Sequence, residues 1–369
     1  MINTFYEKLA KIAVNYSIKV KEGDRIILAG PSYAKDLILA IYAEIVKAGG
    51  HTYFLVQIEG TQEIFFRYAS EKQILYVDNI NKTIIREFDG MVQILSDYNP
   101  YKNSSVDPKK MAKMHSAPGN LEIMSIMSDR SSKGEFNWVI VPYPSQSLAQ
   151  EAKMDLFSYF EFVEKTLFLD KDDPVGEWTK IDQKQEKIAK YLNKTDEIHI
   201  IGEDTDLMLS VKGRKWINSS GQNNLPDGEV FTGPVEDSVN GHIRFTYPGI
   251  HSGKEIENIY LEFKDGKVVN ATAEKGEELL QEILKIPNAD KLGEFAIGTN
   301  YGIQKFTKNM LFDEKMGGTI HCALGLGPEE TGSKNRCSIH WDILKDMKLS
   351  GSKVIADSKV VYEEGEWKI

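Results

Sequence analysis

The chain has 369 residues, a length that predicts about two domains at ~150 residues each. It is 41% hydrophobic and 27% charged, which excludes a disordered or collagen-like chain. Asp and Glu number 55 against 45 Lys and Arg, and the resulting net charge of −10 repels phosphate backbones and argues against a nucleic-acid partner.

The first half of the chain alternates helical and strand-like segments. Apolar spacing predicts helices over 3–16, 35–48, 64–76 and 109–114, and short apolar runs predict strands over 25–30, 53–58, 90–95 and 138–142. This order is typical of a mostly parallel sheet with helices on both faces. The segment contains neither a Gly-x-Gly-x-x-Gly fingerprint nor a P-loop, so nucleotide binding does not follow from it.

The pattern changes after a polar stretch at 169–176 and a helix predicted over 178–192. Short alternating runs then predict strands over 197–201, 206–211, 243–247, 259–263 and 268–273, with one helix over 277–284. We therefore predict an α/β protein with two domains. Residues 1–193 form a mostly parallel α/β domain, and residues 194–369 form a β-rich α+β domain.

Neither a membrane span nor an export signal is expected. The most apolar run, 37–46, is shorter than the ~20 residues that a bilayer span needs, and it contains Glu44. Glu7 and Lys8 fall where a secretory signal would be apolar. Cys322 and Cys337 are too few for a disulfide framework. These features favour a cytoplasmic protein without a membrane partner.

Two histidines of the second half lie in settings that suit a metal site. In Ser338-Ile-His-Trp-Asp342 a strand would place His340 and Asp342 on one face, where they can hold a cation, although the pattern also fits a surface hydrogen bond. His321 lies in a short apolar run flanked by glycines, which also fits a hydrogen-bonded core histidine.

Two glutamates complete the candidate set. Glu229 and Glu294 each lie among apolar and turn residues, where a carboxylate is costly to bury unless a cation meets it. Each taken singly also fits an ordinary exposed acid. Together with the two histidines and the aspartate they offer the mixed nitrogen and oxygen ligands that hydrolytic divalent metals use.

Four stretches of the chain resemble the thermophilic metallo-aminopeptidases, the aminopeptidase T family. They are LPDGEVFTGP at 225–234, LGEFAIGTN at 292–300, LFDEKMGGTIH at 311–321 and SIHWD at 338–342, in the order that the family has. The resemblance implies metal ligands at Glu229, Glu294, His321, His340 and Asp342. It also implies that residues 194–369 are the metal-binding catalytic domain.

The resemblance further implies an activity and its cofactors. Two divalent ions of zinc, cobalt or manganese would activate a water to release the N-terminal amino acid from a peptide substrate, and Glu229 and Glu294 would contribute charge to both ions. A homodimer is also implied. The family's active-site tyrosine, seven residues after the histidine of the third stretch, is replaced by Pro328. Tyr301 or His242 are the substitutes that we expect, or the activity is slower or absent.

Two other functions stay open at this point. His321, His340 and Asp342 also satisfy the two-histidine, one-carboxylate pattern of non-haem Fe(II) oxygenases, so a ring-cleaving dioxygenase on the same scaffold is the main alternative. The replacement at Pro328 also fits a catalytically silent relative. The number and identity of bound metal ions would discriminate among an aminopeptidase, a dioxygenase and a silent relative.

Overall fold

The computed structural model describes residues 2–251 and 253–369. The chain divides into two compact units, which we call the N-terminal and C-terminal units. The N-terminal unit comprises Met1–Glu177 and Gly221–Pro226, and the C-terminal unit comprises Trp178–Ser220 and Asp227–Ile369. The domain limits at 193 and 194 stay a prediction of the sequence. No helix within the described part of the chain combines the length and the hydrophobicity of a transmembrane span.

The N-terminal unit contains nine α-helices and four strands within its described residues. In chain order they are α1 (Ile2–Lys11), β1 (Arg25–Pro31), α2 (Lys35–Lys47), β2 (His51–Gln57), α3 (Thr61–Tyr68), α4 (Glu71–Ile74), α5 (Asn79–Glu87), β3 (Gly90–Leu95), α6 (Pro108–His115), α7 (Pro118–Ser132), β4 (Asn137–Pro142), α8 (Gln146–Glu151) and α9 (Leu156–Thr166). A π-helix, Ile12–Ser17, continues α1, and a 3-10 turn, Ser32–Ala34, precedes α2.

The four strands form one parallel sheet in the order β2-β1-β3-β4. Strand β1 is central, and all its residues after Arg25 are buried. The four predicted strands form within two residues of their expected limits, so the mostly parallel α/β fold is confirmed. The helix predicted over 64–76 is interrupted, because Ser70 donates its backbone N–H to the Gln73 side chain at 2.9 Å and starts a second helix.

The C-terminal unit is mainly antiparallel β-structure. Helix α10 (Pro174–Leu192) leads into it, and the further elements are β5 (Glu197–Gly202), β6 (Thr205–Ser210), β7 (Ile217–Ser219), β8 (Glu229–Thr232), β9 (Asn240–Arg244), β10 (Gly249–His251), β11 (Lys254–Ile256), β12 (Tyr260–Lys264), β13 (Lys267–Thr272), α11 (Glu277–Leu284), β14 (Leu292–Gly298), α12 (Met310–Asp313), β15 (Thr319–Gly325), β16 (His340–Asp346), β17 (Lys353–Ala356), β18 (Lys359–Glu363) and β19 (Glu366–Trp367).

Two large sheets of this unit share one apolar core. The eight-stranded sheet has the order β13-β12-β9-β6-β5-β17-β18-β19, and the five-stranded sheet has the order β16-β15-β14-β8-β7. Leu207 and Leu261 of the first sheet and Phe295, Cys322 and Ile343 of the second belong to the same buried cluster. The β-rich prediction is therefore confirmed, and the five-stranded sheet has a second face that turns away from this core.

Candidate metal centre

Three of the five predicted ligand residues lie on the face of the five-stranded sheet that turns away from the core. Successive side chains of a strand point to opposite faces, and the core takes alternate residues of β15 and β16. Those core residues are Ile320, Cys322 and Leu324 on β15 and Trp341 and Ile343 on β16. His321, His340 and Asp342 alternate with them and therefore share the other face, as the His-x-Asp spacing predicted.

Glu294 reaches the same face through a β-bulge. Leu292 and Glu294 are two residues apart, so a regular strand would place both side chains on one face. Leu292 lies in the core, whereas the register shifts between the two residues and pairs Glu294 with Ala323. Gly293 permits this bulge, because a Cβ atom there would lie 2.3 Å from the carbonyl oxygen of Gly325.

Small residues separate the ligand side chains across the sheet. Ala323 pairs with Glu294 on one neighbouring strand and with Asp342 on the other. Ala296 pairs with His321. Directly paired residues of antiparallel strands have neighbouring side chains, so these alanines leave room between the carboxylates and the imidazole.

The five side chains form two overlapping groups of ligand atoms. Ligand atoms of Glu229, Glu294 and His321 lie within 4.8 Å of one another, and so do those of Glu294, His340 and Asp342. His321 Nε2 lies 3.2 Å from Glu294 Oε1 and 3.3 Å from Glu229 Oε2. His340 Nε2 lies 3.3 Å from Asp342 Oδ1. Glu294 is the residue common to both groups.

The surroundings of these atoms fit a divalent cation. The three carboxylates and His321 are buried, which excludes the alternative that Glu229 and Glu294 are ordinary exposed acids. Within the described chain, Glu229 Oε2, His321 Nδ1 and Asp342 Oδ1 are buried without a hydrogen-bond partner. The two carboxylate oxygens lie 3.3 Å from imidazole nitrogens but accept no hydrogen bond. A buried oxygen without a hydrogen-bond donor is costly, and a cation would compensate it. Carboxylate and imidazole ligands suit zinc, cobalt or manganese.

His340 is oriented by a backbone hydrogen bond. Its Nδ1 lies 2.7 Å from the carbonyl oxygen of Leu326. A carbonyl can only accept, so Nδ1 carries the proton and donates it, which leaves Nε2 to face Asp342. Histidine ligands of metals usually make such a second contact, because it fixes the tautomer and the ring orientation.

Three charged residues that we did not select from the sequence lie beside this cluster. Lys315 is 2% exposed, its Nζ contacts the carboxylate of Glu229, and it lies 2.7 Å from Glu314 Oε1 and 3.9 Å from Asp227 Oδ1. An Asp-Glu-Lys run is typical of a solvated turn. The apolar residues on either side of the run, Phe312 and Met316, are the sign of burial that the sequence offers.

The charged groups of the cluster shift one another's pKa values, and the net effect is to favour protonated imidazoles. Burial raises the pKa of Glu229 to about 8, against the nearby positive groups. Burial alone would lower the pKa values of His321 and His340, but the surrounding carboxylates raise them to about 9 and about 11. Burial opposes ionisation of Asp342 as well, yet His340 holds the pKa of that carboxyl well below its usual range.

Cation binding at this cluster is expected to release protons and to tighten as the pH rises. Glu229, His321 and His340 keep protons up to pKa values of about 8, 9 and 11, and a metal ion competes with those protons for the same atoms. Raising the pH from about 6 to about 8 removes part of that competition. Isothermal titration of the metal-free protein with Mn²⁺ in two buffers of different ionisation enthalpy measures the released protons. A pH-independent affinity without proton release would contradict this expectation.

The position of the family's tyrosine has no hydroxyl in this chain. Pro328 precedes the 3-10 turn Glu329–Thr331, and its carbonyl oxygen accepts a hydrogen bond from Thr331 Oγ1 at 2.6 Å. Both substitutes expected from the sequence lie in other surroundings. The Tyr301 hydroxyl donates to Gly365 O at 2.7 Å, and His242 is on β9 of the eight-stranded sheet. The Tyr301 hydroxyl is therefore engaged by a backbone carbonyl, and the use of either group in place of the tyrosine stays a prediction of the sequence.

Comparisons with known proteins agree with the resemblance seen in the sequence. The sequence model of the family described as thermophilic metalloprotease (M29) matches residues 3–367. Aminopeptidase 2 of Geobacillus stearothermophilus is 26% identical to the chain, over 98% of this chain and 97% of its own length.

Two solved structures have the same fold over nearly the whole chain. Wild-type AmpT from Thermus thermophilus superposes with a TM-score of 0.85 at 22% identity and covers 100% of both chains. The 2,5-dihydroxypyridine dioxygenase of Pseudomonas putida KT2440 superposes with a TM-score of 0.60 at 14% identity, over 99% of this chain and 96% of that one. At these identities the likeness shows the fold alone.

Proposed function

The chain belongs to the thermophilic metalloprotease (M29) family, and from this membership we propose that it is a metallo-aminopeptidase that uses two divalent ions. Glu229, Glu294 and His321 would hold one ion, and Glu294, His340 and Asp342 would hold the other. The observation that carries this proposal is that Glu294 belongs to both groups of ligand atoms. Glu294 is accordingly our candidate for the carboxylate that the two ions share.

Bound divalent ions would supply a water of lowered pKa and polarise the scissile carbonyl. The protein holds the side chains for this chemistry in place before any ion binds. Lys315 contacts Oε1 of Glu229 and so leaves Oε2 for the cation site. Gln185 of α10 donates to the backbone carbonyl of Glu229 at 2.9 Å and accepts from Thr299 Oγ1 at 2.8 Å, which anchors the start of β8.

The proposed substrate is a peptide with a free α-amine. A bound ion would ligate that amine, or one of the five carboxylates in or beside the cluster would pair with its ammonium form, and these are the carboxylates of Asp227, Glu229, Glu294, Glu314 and Asp342. Placing the amine beside the ligands puts the first peptide bond at the centre, which limits the enzyme to removing N-terminal residues.

An aminoacyl-amide panel tests the proposed activity. The protein is stripped with a chelator, reloaded with Zn²⁺, Co²⁺ or Mn²⁺, and assayed on aminoacyl p-nitroanilides and on the same compounds with an acetylated amine. We expect metal-dependent release from the free-amine substrates and at least ~100-fold slower release from the acetylated ones, because a site that pairs a charged group rejects the analogue that lacks it. Equal rates on both series would contradict an aminopeptidase.

Metal analysis separates the proposal from its alternatives. A mononuclear iron oxygenase needs His321, His340 and Asp342 alone, whereas Glu229 and Glu294 lie within the same cluster here. Two ions per chain support the hydrolase. One oxygen-sensitive iron would support the dioxygenase, and loaded protein that cleaves no panel member would support the silent relative. The homodimer and the cytoplasmic location stay predictions of the sequence.

A further inference from the structure

A cleft lies at the carboxyl ends of three parallel strands of the N-terminal unit. Its volume is about 450 Å³, within the range of ~300–1,000 Å³ that small-molecule sites occupy. Pro31 ends β1, Gln57 ends β2 and Ser96 directly follows β3, and all three residues line the cleft. The cleft belongs wholly to the N-terminal unit, and none of the five predicted metal ligands lines it. We call it the strand-end cleft.

The strand order places this cleft where α/β proteins commonly bind ligands. The chain passes from β1 to β2 on one side of β1 and then continues with β3 on the other side. Such a reversal leaves a crevice at the carboxyl edge of the sheet. Tyr33 and Ser96 line the cleft there, and their hydroxyls face each other, but neither oxygen forms a hydrogen bond of normal geometry within the described chain. The crevice therefore contains polar groups that the protein itself leaves unused.

Two carboxylates give the strand-end cleft a surplus of negative charge. Ser32 donates its hydroxyl to Glu59 Oε2 at 2.8 Å, and hydrogen bonds from backbone N–H groups and from this hydroxyl lower the pKa of Glu59. Glu63, in the first turn of α3, is half-buried and forms no ion pair with another described residue. Lys102 also lines the cleft, but its ammonium group contacts Asp97. The charge that remains uncompensated is therefore that of the two glutamates.

Aromatic rings form much of the remaining wall of the cleft. Tyr33, Phe65 and Tyr98 line it together with the apolar side chain of Ile58. The face of an aromatic ring carries partial negative charge and attracts a cation that lies over it. Tyr98 is 42% exposed, so a ligand can reach this wall from the solvent. Carboxylates beside aromatic faces are the combination of groups that recognises an organic ammonium ion.

We propose that the strand-end cleft binds a small molecule through its primary ammonium group. The ammonium would pair with the carboxylates of Glu59 and Glu63, and the apolar part of the molecule would lie on the three rings. A hydrogen bond between charged groups is stronger than one between neutral groups. Free amino acids and the N-termini of peptides both offer this chemistry, since each carries an ammonium group next to a side chain. The proposal does not rest on the peptidase activity, because the cleft contains no predicted metal ligand.

Isothermal titration of the metal-free full chain with leucinamide tests the proposal. Leucinamide carries the ammonium group and an apolar side chain but no carboxylate. We expect saturable binding, and at least ~10-fold weaker binding of N-acetylleucinamide, because acetylation removes the charge that the glutamates would pair. Titration with leucine distinguishes the two sources of the ammonium group. An affinity similar to that of leucinamide points to a free amino acid, and a weaker affinity points to a peptide N-terminus.

Two substitutions in the cleft and a matched control locate the binding site. Glu63→Gln is expected to weaken leucinamide binding about 10-fold, and Tyr98→Ala about 3-fold through the lost ring face. Circular dichroism establishes that both variants are folded. Glu161→Gln changes an exposed glutamate on α9 outside the cleft and should bind as the wild type does.

Three results would overturn the proposal. The first is a wild-type protein that does not bind leucinamide, and the second is equal binding of the acetylated compound. The third is binding that both Glu63→Gln and Tyr98→Ala leave unchanged, because the ammonium group would then occupy another site, such as the metal cluster.

Discussion

Glu294→Ala is expected to remove both metal binding and hydrolysis while the protein stays folded. Glu294 is common to the two groups of ligand atoms, so its loss leaves each group with two residues. Loss of an outer-shell partner already costs ~10–100-fold in metal affinity or activity, and loss of a shared ligand should cost more. The fold should survive, because the variant removes a buried carboxylate that lies 3.2 Å from His321 and no part of the apolar core.

The change in melting temperature on adding metal measures metal binding without requiring catalytic activity. A ligand that binds the folded state raises stability in proportion to the logarithm of its concentration over its dissociation constant. The wild-type melting temperature should therefore rise with added Mn²⁺, and that of Glu294→Ala should not. Glu262→Ala, at an exposed site on β12, is the matched control and should respond as the wild type does. A Glu294→Ala variant that still binds two ions would refute the shared-ligand proposal.

Much of the fold follows from local sequence patterns. Strands β1, β3 and β4 are short apolar runs bounded by turn residues, and these are the features that define buried parallel strands. Strand β2 has the same apolar pattern but lies at the edge of the sheet and is largely exposed. Helix α11 was predicted with its observed limits, Glu277–Leu284, because its apolar residues follow one face. The pattern does not predict helix α7, because the exposed Leu121 and Met124 add a second apolar stripe. This stripe obscures the one that packs against Ile85 and Phe136, which is formed by Ile123, Ile126 and Met127.

The candidate site could be predicted only in part. The His-x-Asp spacing places His340 and Asp342 together because strand alternation is a local rule. The face on which Glu294 lies depends on a β-bulge, which breaks the alternation of side chains. Glu294 was therefore identified from the family resemblance and not from its spacing. The buried charge of Lys315 is compensated by carboxylates that are distant in sequence, and Asp227 precedes the lysine by 88 residues. Local patterns carry no information about such contacts.

Lys315→Met is expected to destabilise the metal-free protein strongly, and more at high pH than at low pH. The lysine is buried against Glu229, Glu314 and Asp227, and these carboxylates raise its pKa well above the ordinary value although burial opposes them. Removing one partner of a buried ion pair typically costs about 3–5 kcal/mol, because the other charge is left uncompensated. The pKa of Glu229 is already raised to about 8 by burial, and without Lys315 it rises further.

The sign of the pH dependence follows from that raised pKa. A carboxyl group with a folded-state pKa above its unfolded value of about 4.5 stabilises the fold while it is protonated, and this contribution is lost as the pH rises through the folded-state pKa. The wild-type Glu229 carboxyl keeps its proton up to about pH 8, so the variant's penalty should grow as the pH rises above that value. Urea unfolding of the variant and the wild type should therefore show a smaller penalty at about pH 7 than at about pH 9.5. Equal penalties at both pH values would show that the carboxylates do not depend on the lysine.

A second substitution distinguishes charge compensation from lost packing. In Lys315→Met the buried Glu229 carboxyl must either carry a charge without its partner or hold a proton at a pH above its unfolded pKa, and both cost free energy. Adding Glu229→Gln should therefore restore part of the stability. Lys345 provides the matched control, because it is equally buried but donates to the backbone carbonyls of Glu203 and Arg244, each at 3.0 Å. Lys345→Met should also destabilise the protein, yet its effect should simply add to that of Glu229→Gln. If the two lysine variants respond alike to Glu229→Gln, Lys315 acts by filling space and not by holding the Glu229 carboxylate at the metal cluster.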